Sequence, residues 1–279
     1  MACRSLLKLR FLSVVFIVPP VLAAVSYGGL VFGILLAFIG GGIGYELSGM
    51  ASIKSKRRVV IMILFGAATP LISVFAETQL VLVATTFGTV IWCFFIFFNV
   101  SDLKDRLGIC TVGFLSLLAI LSLIVLRNAE FGGVAITIYL ITLIAGIDTG
   151  AYFAGRSVGG PKLAPSISPN KTWAGLIGGT IAAGFVGLVF FYMPVLGGND
   201  IIIFGTFGSG AVGALAISCI IAPIAQFGDL MESWIKRRRG LKDSGNLIPG
   251  HGGILDRIDG YLTTAPLVAL ISYCINGGA

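Results

Sequence analysis

The sequence predicts an all-α polytopic membrane protein with about nine transmembrane helices and a cytoplasmic N-terminus. Three observations predict it. Hydrophobic residues make up 57% of the 279 and charged residues only 11%, whereas a soluble domain is about 45–50% apolar and about 25% charged. The mean hydropathy is +1.02. The apolar residues fall in long unbroken runs, not in the short alternating segments of a transmembrane barrel. At about 20 residues per helical span, the length allows roughly eight to ten spans. A disordered chain, a coiled coil and an ordinary soluble enzyme are excluded.

The spans are read at residues 11–27, 28–47, 59–76, 80–98, 108–126, 134–153, 173–193, 201–225 and 258–275. A tight turn joins the first two, and Pro19-Pro20 is expected to kink the first. The basic start, the apolar run and Ala23-Ala24 have the look of a signal peptide. A second apolar run follows at once, so an uncleaved first span is expected. The charges test this order. With the N-terminus inside, Arg4, Lys8 and Arg10 precede the first span, and Lys54, Lys56, Arg57 and Arg58 precede the third. Lys104 and Arg106 separate the fourth from the fifth. Arg156, Lys162 and Lys171 separate the sixth from the seventh. Lys236, Arg237, Arg238, Arg239, Lys242 and Arg257 separate the eighth from the ninth. Every basic residue except Arg127 thus lies on the cytoplasmic side, as the positive-inside rule requires.

Two of the cytoplasmic segments carry chemistry. Residues 155–172 are rich in Gly, Pro, Ser and Lys, and residues 226–259 hold the single histidine, His251. The chain reads as one integral membrane domain, with 1–133 mainly scaffold and 134–275 the chemical half. The net charge of +7 fits topology and contact with the lipid bilayer rather than nucleic acid. Five scattered cysteines form no CxxC pair and read as apolar filler. Gly208-Ser209-Gly210-Ala211-Val212-Gly213 fits GxGxxG but follows no strand, so close helix packing is expected there.

Four acids stand at or near the cytoplasmic ends of spans. Asp148 sits in the sixth span, where a charge is kept only beside a polar cavity or a partner. Tyr152 is one helical turn away on the same face. If the eighth helix continues past Ala225, Asp229, Glu232, Ser233 and Lys236 share a face. Asp256 and Asp259 have helical spacing at the start of the ninth span. Carboxylates are hard ligands suited to Mg²⁺, which binds through one or two of them plus substrate phosphates. The nearby Lys236, Arg237, Lys242 and Arg257 suit phosphate oxygens. The Pro249-Gly250-His251-Gly252-Gly253 turn would let backbone amides approach phosphate. His251 reads as a general acid, a phosphate donor or a loop hydrogen bond. Together these groups point to metal-assisted phosphoryl or nucleotidyl transfer.

The stretch from Ser233-Trp234-Ile235-Lys236-Arg237, through Lys242-Asp243 and Pro249-Gly250-His251-Gly252-Gly253, to Asp256-Arg257-Ile258-Asp259 resembles the signature of the phosphatidate cytidylyltransferase (CDP-diacylglycerol synthase) family. A second block is similar: Asp148-Thr149-Gly150-Ala151-Tyr152, Gly155-Arg156, then Ser168-Pro169-Asn170-Lys171-Thr172-Trp173. So is the stretch from Gln226 to Glu232. The resemblance runs from about residue 145 to 265; the N-terminal half is similar only as hydrophobic spans. The family often carries an acid after the Trp of the second block, where this chain has Ala174. That argues against a catalytic role at this position.

The resemblance implies that the phosphate of phosphatidic acid attacks the α-phosphorus of CTP, giving CDP-diacylglycerol and pyrophosphate. It also implies dependence on Mg²⁺, a site for K⁺ as a second cation, and a homodimer. Carried over residue by residue, the metal-binding acids are Asp229 and Asp256. Lys236, Lys242, Asp259 and His251 join them as catalytic candidates. Asp148, Tyr152, Arg156, Ser168, Lys171, Thr172, Ser233, Arg237 and Arg257 are the substrate-binding candidates. The site would face the cytoplasm from an inner (plasma) membrane. Two alternatives stay open on the residues alone. One is a CTP-dependent polyprenol or phytol-type lipid kinase, releasing CDP. The other is an ion-coupled transporter with Asp148 as its ion site.

Overall fold

The computed structural model describes residues 18–75, 78–129, 132–193, 210–248 and 252–275. Ten helices and one hairpin are seen among them: α1 (Val18–Tyr27), α2 (Gly29–Met50), α3 (Lys56–Phe75), α4 (Thr78–Asn99), α5 (Leu103–Arg127), α6 (Gly133–Ser157), β1 (Lys162–Ala164), β2 (Ser168–Thr172), α7 (Trp173–Tyr192), α8 (Ala211–Arg238), α9 (Leu255–Ile258) and α10 (Tyr261–Ile275). Six of them, α2, α3, α5, α6, α7 and α8, are long and apolar enough to cross a membrane. The protein is therefore an all-α polytopic membrane protein in its spanning part. α1, α10 and the Thr85–Asn99 part of α4 are shorter apolar helices.

The contacts divide the chain into two compact units, Met1–Ile124 with Ile235–Ile258, and Val125–Trp234 with Asp259–Ala279. In the first unit, α2 lies directly on α3. A Cβ added at Gly40 would run into the Gly66 carbonyl, and one at Gly44 into the Met62 carbonyl. In an apolar solvent such close backbone approach supplies dispersion contacts that bulky side chains would prevent. Trp92 of α4 is fully buried and donates Nε1–H to the Met62 carbonyl at 3.0 Å.

In the second unit, α6 packs on α7 through Gly150, Gly155, Gly175 and Gly178. Tyr139 of α6 is fully buried; its hydroxyl shares a hydrogen bond of 2.7 Å with Ser218 Oγ of α8, and its ring meets Phe190 of α7 edge-on at 5.4 Å. On α8, Gly228 lets the Asp259 carbonyl and Thr263 approach, and the Thr263 hydroxyl donates to the Ile224 carbonyl at 2.7 Å.

Several boundaries differ from the sequence expectation. Residues 226–238 are not loop: α8 continues through them, and among the described residues of the expected loop 239–248 and 252–254 lie outside helices. The expected loop at 155–172 contains a strand pair, so the fold is not purely helical. Gly159 and Gly160, both at positive φ, and Pro161 end α6; the chain then turns back antiparallel with Lys162 opposite Thr172 and Ala164 opposite Ser168. The ninth span starts later than expected. Asp256 lies in the four-residue α9 and Asp259 in the turn before α10, so the two carboxylates share no continuous helix. Residues 201–209 of the eighth span, Gly208 of the GxGxxG match, Cys3, the first basic cluster and His251 all lie outside the described residues.

Candidate active site

The polar cavity of the second unit has a volume of about 290 Å³. Asp148 and Tyr152 reach it from α6, Ser168, Lys171 and Thr172 from β2, and Gln226 and Asp229 from α8. The hairpin is what places Lys171. Thr172 caps α7 by accepting from the Gly175 amide at 3.0 Å, and the Trp173 amide donates to the Pro161 carbonyl at 3.1 Å. These bonds fix the end of β2 against the first turn of α7. The preceding residue, Lys171, forms an ion pair with Asp229 in which the side chains are 17% and 26% exposed. Ser233 Oγ, one turn further along α8, donates to Asp229 Oδ1 at 3.2 Å.

Asp259 enters this unit from the turn before α10, where its Oδ1 accepts from the Gly260 amide at 2.7 Å. Burial, followed by the negative charges of Asp229, Glu232 and Asp148, pushes its carboxyl well above the usual carboxylate range. Four acids therefore act on one another here, with Lys171 as the cation on Asp229. Such an excess of carboxylate favours a cationic visitor. Tyr152 is exposed, and its hydroxyl accepts from Arg156 Nη1 at 2.8 Å. The Thr172 hydroxyl is committed to its cap.

The second group of candidates belongs to the first unit. Lys236 Nζ donates to Asp256 Oδ1 at 2.6 Å, and the two side chains are only 9% and 8% exposed. Asp256 also accepts from the Ser244 amide at 3.0 Å and the Gly253 amide at 2.8 Å. Burial raises its carboxyl, but Lys236 and the amides of Gly253 and Ser244 outweigh burial and hold it below the usual range. Arg237, Lys242 and Arg257 are exposed, and Arg237 Nη1 donates to the Leu241 carbonyl at 3.1 Å. The Gly253 amide is thus used by Asp256 and is not free to meet a phosphate.

Three residues of this group escaped the sequence reading. Glu46 of α2, 1% exposed, accepts from the amides of Ile254 and Leu255 and from Ser244 Oγ. Asp105 and Asp102 pair with Arg238 at 2.6 and 2.9 Å, and Asp105 also with Arg239 at 3.2 Å. Arg239 further donates to the Met50 carbonyl at 2.8 Å and to Ser52 Oγ at 2.9 Å. The one available signal was Glu46 itself, an acid inside an apolar run.

A magnesium ion is implied by the resemblance, and the donor sets differ in how well they suit it. Among the described residues, no three His, Cys, Asp or Glu side chains form a ready-made metal site. Mg²⁺ does not need one, because it takes one or two carboxylates and completes its shell with water and phosphate. The acid-rich cavity at Asp229 fits that requirement. Asp256 fits it less well: both its oxygens already accept protein donors, so a cation there would take the place of Lys236.

A family model described as the cytidylyltransferase family matches residues 8–275. Phosphatidate cytidylyltransferase of Brucella suis biovar 1 (strain 1330) is 43% identical over 150 residues, which are 54% of this chain and 51% of that protein. The protein of the same name from Rickettsia prowazekii (strain Madrid E) is 40% identical over 156 residues, 56% of this chain and 64% of the relative. That of Rickettsia felis (strain ATCC VR-1525 / URRWXCal2) is 43% identical over 130 residues, 47% and 55% of the two chains. The matched stretch spans about half the length of the Brucella relative.

Proposed function

The chain belongs to the cytidylyltransferase family, and from that premise we propose that it is a membrane-embedded CTP:phosphatidate cytidylyltransferase. The phosphate oxygen of phosphatidic acid attacks the α-phosphorus of CTP. The bond from that phosphorus to the bridging oxygen breaks, and pyrophosphate leaves. The products are CDP-diacylglycerol and pyrophosphate, with phosphorus and charge conserved. The attacking phosphate is already largely ionised near neutral pH, so no strong base is needed. That matches a chain with one histidine and many acids and cations. Catalysis then rests on positioning and charge neutralisation.

The observation that carries this reading is the convergence of Asp148, Lys171 and Asp229, from three separate elements, on one polar cavity. Lys171 binds a phosphate, with Ser168 and Tyr152 beside it. Asp229 holds magnesium, assisted by Asp148. Bound magnesium would neutralise triphosphate charge and polarise the attacked phosphorus. Ser233 orients the Asp229 carboxylate. A cation beside Asp229 would offset part of the repulsion that raises the Asp259 carboxyl. Lys236, Arg237, Lys242 and Arg257, all in the first unit, are proposed as phosphate-binding residues on the resemblance. Asp256 keeps Lys236 in place, and its role as a metal ligand is a separate proposal with its own variant. His251 is proposed as a phosphate donor, Arg156 as a headgroup contact and K⁺ as a second cation.

The nine-span topology, the cytoplasmic N-terminus, the inner-membrane location with an inward-facing site, and a homodimer belong to the same proposal; the charge asymmetry of the loops supports the orientation. The test is pyrophosphate release by the purified full chain given CTP, phosphatidic acid and Mg²⁺. Release that needs the lipid, the metal and Asp229 is the expected result. CDP appearing with a polyprenol, and no pyrophosphate with phosphatidic acid, would move the protein to the lipid kinases.

A further inference from the structure

A carboxylate inside a membrane-spanning helix is kept there only by what it holds. Glu46 lies in the second half of α2, on a helix otherwise free of acidic and basic residues from Gly29 to Met50. Its Oε1 accepts from the Ile254 amide at 2.7 Å. Its Oε2 accepts from the Leu255 amide and from Ser244 Oγ, each at 2.9 Å. Ser244 and Ile254 belong to the segment that joins α8 to α9, Leu255 opens α9, and all three lie in the first unit with Glu46. None comes from α2.

The fit around this carboxylate is close. A Cβ added at Gly245 would stand 2.8 Å from Glu46 Oε1, and one at Gly253 would stand 2.7 Å from the same atom and on top of Ser244 Oγ. Glycine at both positions lets the backbone fold round the carboxylate. Asp256 accepts from the amides of Ser244 and Gly253. Ser244 is the shared point: its amide serves Asp256 and its hydroxyl serves Glu46. Two carboxylates, one from α2 and one from α9, therefore fold the same segment from inside. Asp256 in turn holds Lys236 at 2.6 Å.

We propose that Glu46 is a positioning residue for the transferase reaction, fixing Ser244, Ile254 and Leu255 so that Asp256 presents Lys236 to the phosphates of CTP. This deepens the cytidylyltransferase reading and rests on it for the kinetic consequence alone. Glutamine in its place keeps the shape and one acceptor, but it turns an N–H₂ group toward a backbone amide or the Ser244 hydroxyl. Aspartate keeps the charge and falls short by one methylene.

The test uses the full chain in lipid nanodiscs and two independent readouts. The first is hydrogen exchange of the 244–258 peptide, which needs no activity. Glu46→Gln is expected to speed its exchange at least tenfold while peptides of α6 and α7 stay unchanged. The second is steady-state kinetics. Glu46→Gln is expected to raise KM for CTP about tenfold or more, and so to lower kcat/KM for CTP beyond any loss of kcat, while KM for phosphatidic acid stays unchanged, with Glu46→Asp in between. A purely structural role would lower kcat through loss of active protein and move neither KM. Should Glu46→Gln fail to fold, Ser244→Ala removes one of the three donors and is expected to shift both readouts in the same direction, by a smaller factor. Unchanged exchange in the 244–258 peptide, or equal losses for both substrates, would overturn the inference. Faster exchange in Glu46→Gln alongside a wild-type chain that has no transferase activity would instead refute the function and leave the Glu46 anchor standing.

Discussion

Removing Asp256 should cost more than removing Asp256 and Lys236 together is expected to cost per residue, and the structure sets the size of the difference. The two side chains are 8% and 9% exposed and meet at 2.6 Å. Breaking a buried pair by deleting one partner costs about 3–5 kcal/mol, because the other charge stays buried. Asp256→Ala also strands the Ser244 and Gly253 amides, at about 1 kcal/mol each once water enters the opened segment. Lys236→Met leaves Asp256 with both amides and costs less, about 3 kcal/mol. In the double variant no charge is buried alone, so coupling of about 1–3 kcal/mol should be recovered relative to the sum of the singles. Local opening free energies from hydrogen exchange across 236–258 measure this cycle. Transferase activity should be lost in all three variants. Strict additivity in the exchange data would refute the account of Asp256 as the anchor of Lys236.

Three further expectations follow from single contacts. Thr172→Ala removes the cap on α7 and should lower stability by about 1 kcal/mol in thermal unfolding, whereas Thr172→Ser should be nearly neutral. Gly178→Val would drive a side chain into Ala154 of α6 and should destabilise by about 1–3 kcal/mol, with Ala154→Gly recovering part of the loss in the same assay. Asp229→Asn keeps the shape beside Lys171 and Ser233 but removes the charge; a Mg²⁺ titration of turnover should show half-activation displaced upward at least tenfold.

The spans were legible because an apolar run longer than about 18 residues has few other solutions. α2, α3, α6 and α7 start within a few residues of where hydropathy puts them. The continuation of α8 to Arg238 was not legible in this way. Residues 226–238 are polar, and a hydropathy reading ends where the charges begin, although the i, i+4 spacing of Asp229 and Ser233 already agreed with a helix. The hairpin at 162–172 was hidden by Pro165 and Pro169 and by the glycines just before it, Gly159 and Gly160, which mark turns but do not reveal which turns pair. Lys171 and Asp229 were both named as candidates from their local motifs, yet their ion pair is a tertiary fact that no local spacing encodes. Glu46 was missed for the opposite reason. Its neighbours are so apolar that the helix read as scaffold, and two of its three donors are backbone amides, which leave no trace in side-chain identity.

In the proposed reaction the α-phosphorus of CTP ends up on the lipid. CTP labelled at the α-phosphorus and CTP labelled at the γ-phosphorus, each incubated with the purified chain, phosphatidic acid and Mg²⁺, test it directly. Label is expected in the lipid product from the α-labelled nucleotide alone and in pyrophosphate from the γ-labelled one, both abolished by Asp229→Ala. Label passing from the γ-position into lipid would contradict it.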